Sequence, residues 1–425
     1  MQATLLKKEL GNKAYDDLLE DIYVDKTLLD YQRERYQQAI DKFIDLYGDQ
    51  DIEIYSAPGR SEVGGNHTDH QHGCVLAAAI NLDIIAVVSK TEDGIKILSD
   101  TYDIKKVDIH DLDKKEYELG TSEGLVRGVC AKFKESNHHI GGFNAYMTSE
   151  VLQGSGLSSS AAFEVMIGTV LSGLYNDMKI DPVEIAQIGQ YAENVYFGKP
   201  CGLMDQCASS VGSLINIDFK DTAYPIVRKV DVDFSKFKHS LCIVDTKGSH
   251  ADLTDEYAAV PMEMKKVAQF LGKEVLREVK EEDFYVKLTE IREACGDRAT
   301  LRAIHLFEEN KRVDLQVNAL INGDFEEFKK WIKASGDSSF KYLQNVYANC
   351  DVHNQSVSVA LALTEKALCG HGVCRVHGGG FAGTIQAFVE DDYVEKYKQE
   401  IEKYFGKGSC HVLKVRKYGG RKVIG

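Results

Sequence analysis

Residues 57–73 read APGRSEVGGNHTDHQHG, and His67, Asp69, His70 and His72 fall within a few positions of one another. Imidazoles and a carboxylate so crowded can hold a metal ion, and three of the four would serve a zinc site of the metallohydrolase kind. The same side chains can instead grip hydroxyl groups, because a neutral imidazole and a carboxylate between them both donate and accept. The neighbouring glycines fit either reading.

A second stretch, VLQGSGLSSSAAFEVMIG at 151–168, has the makings of an anion cradle. Gly154 and Gly156 permit positive φ and let backbone approach a ligand, and Ser158, Ser159 and Ser160 suit the start of a helix running on from Ala161. Free amides at a helix start carry partial positive charge, so a phosphate is held there without a lysine. No GKS or GKT follows, which excludes a P-loop at this place. A serine-capped helix after a flexible turn is the plainer alternative. A third stretch, YAENVYFGKPCGLMDQCASSVG at 191–212, sets Asp205 just after a Gly-Leu-Met turn, where side chains would otherwise pack. It reads as a helix N-cap or as a buried carboxylate that needs a partner. In RVHGGGFAGTIQAFV, Gly378, Gly379, Gly380 and Gly383 form a turn between an expected helix and a strand, with more glycine than a turn demands.

The elements that must position these residues are mixed in order. IEIYSAPGR reads as a strand ending in a turn, VLAAAINLDIIAVVSK as a buried strand or hairpin, and FNAYMTSEV as a further strand. SSSAAFEVMIGTVLSGLYNDM, VEIAQIGQYAENVYFG, VHNQSVSVALALTEKAL and much of 286–335 carry apolar residues at helical spacing. Strands and helices do not alternate strictly, which favours α+β over a doubly wound sheet.

A chain of 425 residues is long for one core, so two lobes are expected, and the absence of a Gly/Ser or Pro-rich linker requires them to share a tight interface. A net charge of −15 argues against a nucleic-acid partner. No apolar run reaches the roughly 20 residues of a membrane span, and no secretory signal opens the chain, so a cytoplasmic location is expected. Ten cysteines without a CxxC pair agree with reduced thiols.

APGR, NHTDHQHG, GSGLSSSAA, CGLMDQ and GGGFAG, in that order, resemble the galactokinases of the GHMP small-molecule kinase superfamily. HADLTDEYA at 250–258 is similar to a further family stretch, HSLxxSEY. The resemblance implies a two-lobed α+β GHMP kinase fold. Its N-terminal lobe, like ribosomal protein S5 domain 2, would span residues 1–210. A ferredoxin-like C-terminal lobe would span 211–425, with the site in the cleft between them. It implies that Gly154, Ser155, Gly156, Leu157, Ser158, Ser159 and Ser160 bind the phosphates of ATP, and that Ser160 and Glu193 hold Mg²⁺. Asp205 would lie against the attacking sugar hydroxyl with Arg60 paired to it. Asn66, His67, Asp69, Gly202 and Tyr257 would hold the sugar. The implied reaction is phosphorylation of the C1 hydroxyl of galactose, with sugar and ATP as the only partners and a monomer compatible with the sequence.

Four positions depart from the family pattern. The family's glutamate before the histidine is Asn66, its asparagine is Glu62, an apolar residue is Gly64 and a tyrosine is His70. Replacing a carboxylate by an amide removes a charge that would repel an acidic substrate, and HTDHQ resembles the HIDHQG loop of galacturonokinases, so galacturonate or arabinose stands beside galactose. Galactokinase-like sensors that bind galactose and ATP without turnover lack residues of GLSSSAA, whereas here that loop is complete.

Overall fold

Glu53–Gly64 forms strand β1, and Cys74–Thr91, free of glycine and proline, forms the 18-residue strand β2. A computed structural model describes residues 1–99, 103–151, 156–248 and 253–425. The APGR segment therefore lies inside a strand that runs on to Gly64 instead of turning at Arg60. The register of β1 against β2 shifts between Pro58 and Arg60, a bulge where proline's missing donor is tolerated. The strand here lies so close to the next turn that a Cβ on Gly59 would sit 3.0 Å from Leu157 O.

β3 (Ile95–Ser99), β4 (Asp103–Val107), β5 (Gly142–Ser149), β6 (Leu214–Asp218) and β7 (Ile226–Val230) join β1 and β2 in one sheet. β2 is long enough to pair with β5 along its second half and with β6 along its first. β3 and β5 run parallel, while the other pairs are antiparallel. The Ser159–Asn176 helix, whose long run of buried apolar residues follows from its composition, packs on this sheet.

A second sheet holds β8 (His239–Asp245), β9 (Gly372–Val376), β10 (Thr384–Glu390) and β11 (Cys410–Leu413) in the order β11-β8-β10-β9, all antiparallel. Helices at Ser356–Leu368 and Val394–Phe405 fill the two crossovers, the split βαβ arrangement of ferredoxin-like folds. The four glycines at 378–383 thus connect two strands, since the short β9 intervenes after the expected helix. Between β8 and β9 lies a helical insertion that includes Thr254–Phe270, Asp297–Ile321 and Phe325–Ser338.

Strand pairing crosses the boundary expected near residue 210. β6 and β7 follow that residue yet belong to the first sheet, and β12 (Arg421–Ile424) brings the chain end back to pair with β1. The return is anchored at Asp83, fully buried, which accepts from Arg35 at 2.7 Å, Arg416 at 3.0 Å and Tyr23 at 2.8 Å. Two guanidiniums compensate its burial, so loss of either would leave an under-compensated carboxylate in the core. Among the described residues no helix is long and apolar enough to cross a membrane.

Candidate active site

The β1 bulge turns Arg60 toward the helix Met204–Val211, where it meets Asp205 in a two-pronged pair. Nε donates to Oδ1 at 2.6 Å and Nη2 to Oδ2 at 2.5 Å, while Nη1 donates to the carbonyl of Gly156. Asp205 lies in the first turn of its helix but caps nothing; the N-cap position belongs to Leu203. Its second oxygen also accepts from Ser158 Oγ at 2.6 Å. Burial pushes the Asp205 carboxyl up, but the charge and hydrogen bonds of Arg60, then Ser158, outweigh it and hold the carboxyl below its ordinary range. The side chain keeps 29% of its surface open, so the anion faces the cleft.

Ser158 itself adopts a left-handed conformation (φ 58°) and precedes the helix, which starts at Ser159. It does not cap that helix with its hydroxyl, which is spent on Asp205. Gly156 also has positive φ (74°), and a Cβ there would crowd His377 Nδ1 at 3.2 Å. His377 lies buried between Ser61 Oγ (3.1 Å) and Thr384 Oγ1 (2.9 Å), joining the two sheets beneath the turn. Gly154 and Ser155 lie outside the described residues, as do the first three residues of the 250–258 stretch.

Ser159, Ser160 and Glu193 open onto a cavity of about 630 Å³ whose wall is mostly apolar, with Ile84, Ile97, Leu125, Met147 and Phe163. Sequence reasoning did not find it, because such side chains are indistinguishable from core residues until the fold brings them together. Glu193 is buried in a π-helical turn, Ala192–Phe197, that closes the Pro182–Tyr191 helix. Beside it is Glu164, which sequence reasoning also missed. Gln206 Nε2 bridges the two carboxylates, at 2.9 Å from Glu164 and 3.0 Å from Glu193. Burial and then the neighbouring Glu193 push the Glu164 carboxyl well above its ordinary range. Glu164 Oε1 is buried and without a hydrogen-bond partner. Two buried carboxylates, one of them with an orphaned oxygen, are a donor set that a hard cation with oxygen preference fits. Among the described residues there is no group of three or more His, Cys, Asp or Glu placed to hold a metal on protein ligands alone.

The stretch with four close His and Asp residues is folded around the glycine turn of the second sheet. His67 Nε2 faces the carbonyl of Gly379 at 2.9 Å, so this nitrogen carries the proton and is not free for a metal. Asp69 Oδ1 accepts from the amide of His70 at 2.9 Å, and its Oδ2 would lie 2.7 Å from a Cβ on Gly202. His72 takes a left-handed backbone conformation that ends the short turn. Tyr257 donates to the carbonyl of Gly380 at 2.6 Å, and a Cβ on Gly379 would collide with its ring at 2.4 Å. His67, Asp69, Gly202 and Tyr257 therefore border one region next to Arg60, whose charge Asp69 also supports.

Asn66 is different. It is fully buried, its amide nitrogen donates to Glu62 (3.0 Å) and to the carbonyl of Gly378 (2.7 Å), and its oxygen accepts from Asn345 at 2.8 Å. Glu62 in turn meets Arg375 at 2.6 Å. The side chain expected at the sugar is spent inside the protein, fastening the loop to the second sheet.

Residues 41–90 match the galactokinase galactose-binding signature, and residues 124–213 match the GHMP kinase N-terminal domain. A galactokinase of Actinobacillus pleuropneumoniae serotype 5b is 32% identical over 86% of this chain and 92% of its own length. The chain belongs to the galactokinase family. A galactokinase of Streptomyces coelicolor is 30% identical over 88% of this chain and 94% of its own. Among solved structures, Lactococcus lactis galactokinase complexed with galactose superposes with a TM-score of 0.74 at 24% identity, covering 90% of this chain and 98% of that one. The Methanococcus jannaschii mevalonate kinase shares the fold more distantly, with a TM-score of 0.61 at 16% identity over 86% and 98% of the two chains. The match to the galactokinase signature spans the loop that carries Glu62, Asn66 and His70.

Proposed function

We propose that this galactokinase-family kinase transfers the γ-phosphoryl group of ATP to the C1 hydroxyl of galactose, yielding galactose 1-phosphate and ADP. The observation that carries the reading is the Arg60–Asp205–Ser158 constellation at the foot of the Gly156 turn. It stands in a chain whose first sheet bears the galactose-binding signature. An ionised carboxylate facing the cleft orients the attacking hydroxyl and accepts its proton as the new O1–Pγ bond forms and the bond from Pγ to the bridging oxygen of ADP breaks. Arg60 keeps that carboxylate charged and supplies positive charge where the transferring group gathers negative charge.

The adenine fits the apolar cavity between the first sheet and the Ser159–Asn176 helix, with the phosphates running from it toward the residues 156–160 at the helix start. Mg²⁺ would be held by Ser160 and Glu193 and would neutralise phosphate charge. His67, Asp69, Tyr257 and the backbone at Gly202 border the place left for the sugar. Asn66 acts on that place through the loop it fastens rather than by touching the sugar. All ten cysteines are free, in keeping with action in a reducing cytoplasm.

A coupled ADP-release assay on galactose, galacturonate, arabinose and N-acetylgalactosamine tests this reading. Turnover should be fastest on galactose. ADP release that does not depend on any sugar, or that is strongest on galacturonate, would overturn it.

A further inference from the structure

Between the π-helical turn and the Asp205 helix, the chain passes through Gly198, Lys199 and Pro200. The amides of Gly198 and Lys199 both donate to the carbonyl of Glu193, at 3.0 and 3.1 Å. Lys199 is thereby tied to the turn that carries Glu193, and its ammonium folds back onto Glu193 Oε1 at 3.2 Å. It is the one lysine or arginine among the described residues that pairs with either carboxylate of the Glu164–Glu193 couple.

Burial and the neighbouring Glu193 hold the Glu164 carboxyl well above its ordinary range, so the charge that Lys199 answers is that of Glu193. Glu193 and Glu164 are 3% and 1% exposed, and they share a single amide donor from Gln206. The ammonium reaches Glu193 alone, and Glu164 Oε1 remains buried without a hydrogen-bond partner. The ammonium also sits at the rim rather than inside, since the lysine side chain is 63% exposed. A single-pronged, half-solvated pair of this kind is weak, in contrast to the two-pronged Arg60–Asp205 pair. It is strong enough to shield a buried carboxylate and weak enough to be displaced.

We propose that Lys199 is a resident counter-cation of the metal position, holding Glu193 Oε1 until the cation that arrives with the nucleotide takes that oxygen and displaces the ammonium. The inference rests on the reading of Glu193 as a cation ligand. Its consequence is competition. Mg²⁺ must exchange with Lys199, so the affinity gained from the metal is smaller than the carboxylate pair alone would give.

The test measures ADP binding by calorimetry, with Mg²⁺ and with EDTA, and thermal unfolding in EDTA, for the wild-type chain, Lys199→Met, Lys199→Arg and Glu193→Gln. With Lys199→Met the Mg²⁺-dependent gain in ADP affinity should rise roughly two- to fivefold, the yield of removing one weak competing pair. Its affinity in EDTA should not change. Its melting temperature in EDTA should fall, because the buried Glu193 carboxylate loses its shield, and should recover with MgADP. Lys199→Arg should stay near wild type. A gain equal to that of wild type in Lys199→Met, while Glu193→Gln loses the Mg²⁺ dependence, overturns the inference and leaves the metal reading standing. Weaker ADP binding by Lys199→Met in EDTA would mark Lys199 as a nucleotide contact and also overturn it. Undiminished Mg²⁺ dependence in Glu193→Gln removes the metal reading, and the inference with it.

Discussion

The amide of Asn66 donates to the carboxylate of Glu62 at 3.0 Å, so two positions that depart from the family pattern are hydrogen-bonded to each other. In the galactokinase pattern that this chain resembles, asparagine stands at position 62 and glutamate at 66, so relative to that pattern the two have traded places. The carboxylate now meets Arg375, which is fully buried, and ties the first sheet to the second. Glu62→Asn alone leaves that guanidinium unpaired, and Asn66→Glu alone sets two carboxylates against one arginine. Each should cost on the order of 3 kcal/mol. The double exchange restores the charge balance but turns a carboxylate toward the carbonyl of Gly378, so recovery should be partial. A double-mutant cycle by urea unfolding should show at least about 1 kcal/mol of favourable coupling. Additive losses would mean the two positions vary independently.

Asp205 and Arg60 make a second prediction about pH. Asp205→Asn should abolish turnover while the chain still folds, at a stability cost on the order of 3 kcal/mol, since the amide offers buried Arg60 one acceptor and no charge. Arg60→Met removes the main influence that holds the carboxyl down, leaving burial to push it up. The acid limb of kcat/KM, set by protonation of Asp205, should therefore move to higher pH, and Ser158→Ala should move it less. An acid limb unmoved in Arg60→Met would show that another group sets it.

How much of this site could be read before folding differs residue by residue. The glycine-serine turn is legible from residue type and local backbone, whereas Arg60, and Asp205 beyond the choice between helix N-cap and buried carboxylate, are assigned by the resemblance to galactokinases. That Ser158 would serve Asp205 instead of its own helix is not legible, since both are satisfactory fates for a serine hydroxyl. Asn66 is placed at the sugar by the resemblance, because it stands where the galactokinase pattern has a glutamate. Only the approach of Asn345 and the Gly378 carbonyl, 279 and 312 residues away, reveals that it is spent. Glu164 hid in an apolar helical run, and the cavity hid among core residues. β1, β2 and β5 are legible from their apolar or alternating runs, but β3, β4, β6 and β7 are not, and the return of Arg421–Ile424 to β1 carries no local signature.

Stability should fall early on acidification. Burial and then His70 lower His67 from the ordinary 6.5 to about 4, and burial and then Arg60 lower His377 to about 3. Both stay neutral in the folded chain while the unfolded chain takes up protons near pH 6.5. Their contribution is thus complete above that pH and is lost as pH falls through the interval down to the folded values. The slope approaches roughly 1 kcal/mol per pH unit for each histidine. Unfolding by urea at pH 7.5, 6 and 5 covers a window above the ordinary carboxylate range, and Glu164, held up by burial and Glu193, works against the trend, so the comparison with a histidine variant carries the test. His377→Gln, which keeps a donor and an acceptor between Ser61 and Thr384, should flatten the slope. A slope unchanged in His377→Gln would contradict this account.

Gly202 isolates the sugar side of the site. Its lack of a side chain is what admits the Asp69 carboxylate, whose Oδ2 would stand 2.7 Å from an added Cβ. An added methyl cannot share that space with an oxygen anion, and the backbone on either side is held by Cys201 and the Asp205 helix. The carboxylate must therefore move, since it ends a short side chain with 18% of its surface open. If Asp69 grips sugar hydroxyls, Gly202→Ala should raise KM for galactose by roughly tenfold or more, the loss of one charge-assisted hydrogen bond. The dissociation constant for MgADP should stay unchanged, because neither Gly202 nor Asp69 lines the cavity proposed for the nucleotide. Parallel losses of sugar and nucleotide affinity would place the disturbance in the Asp205 helix itself, and an unchanged KM would remove Asp69 from the sugar.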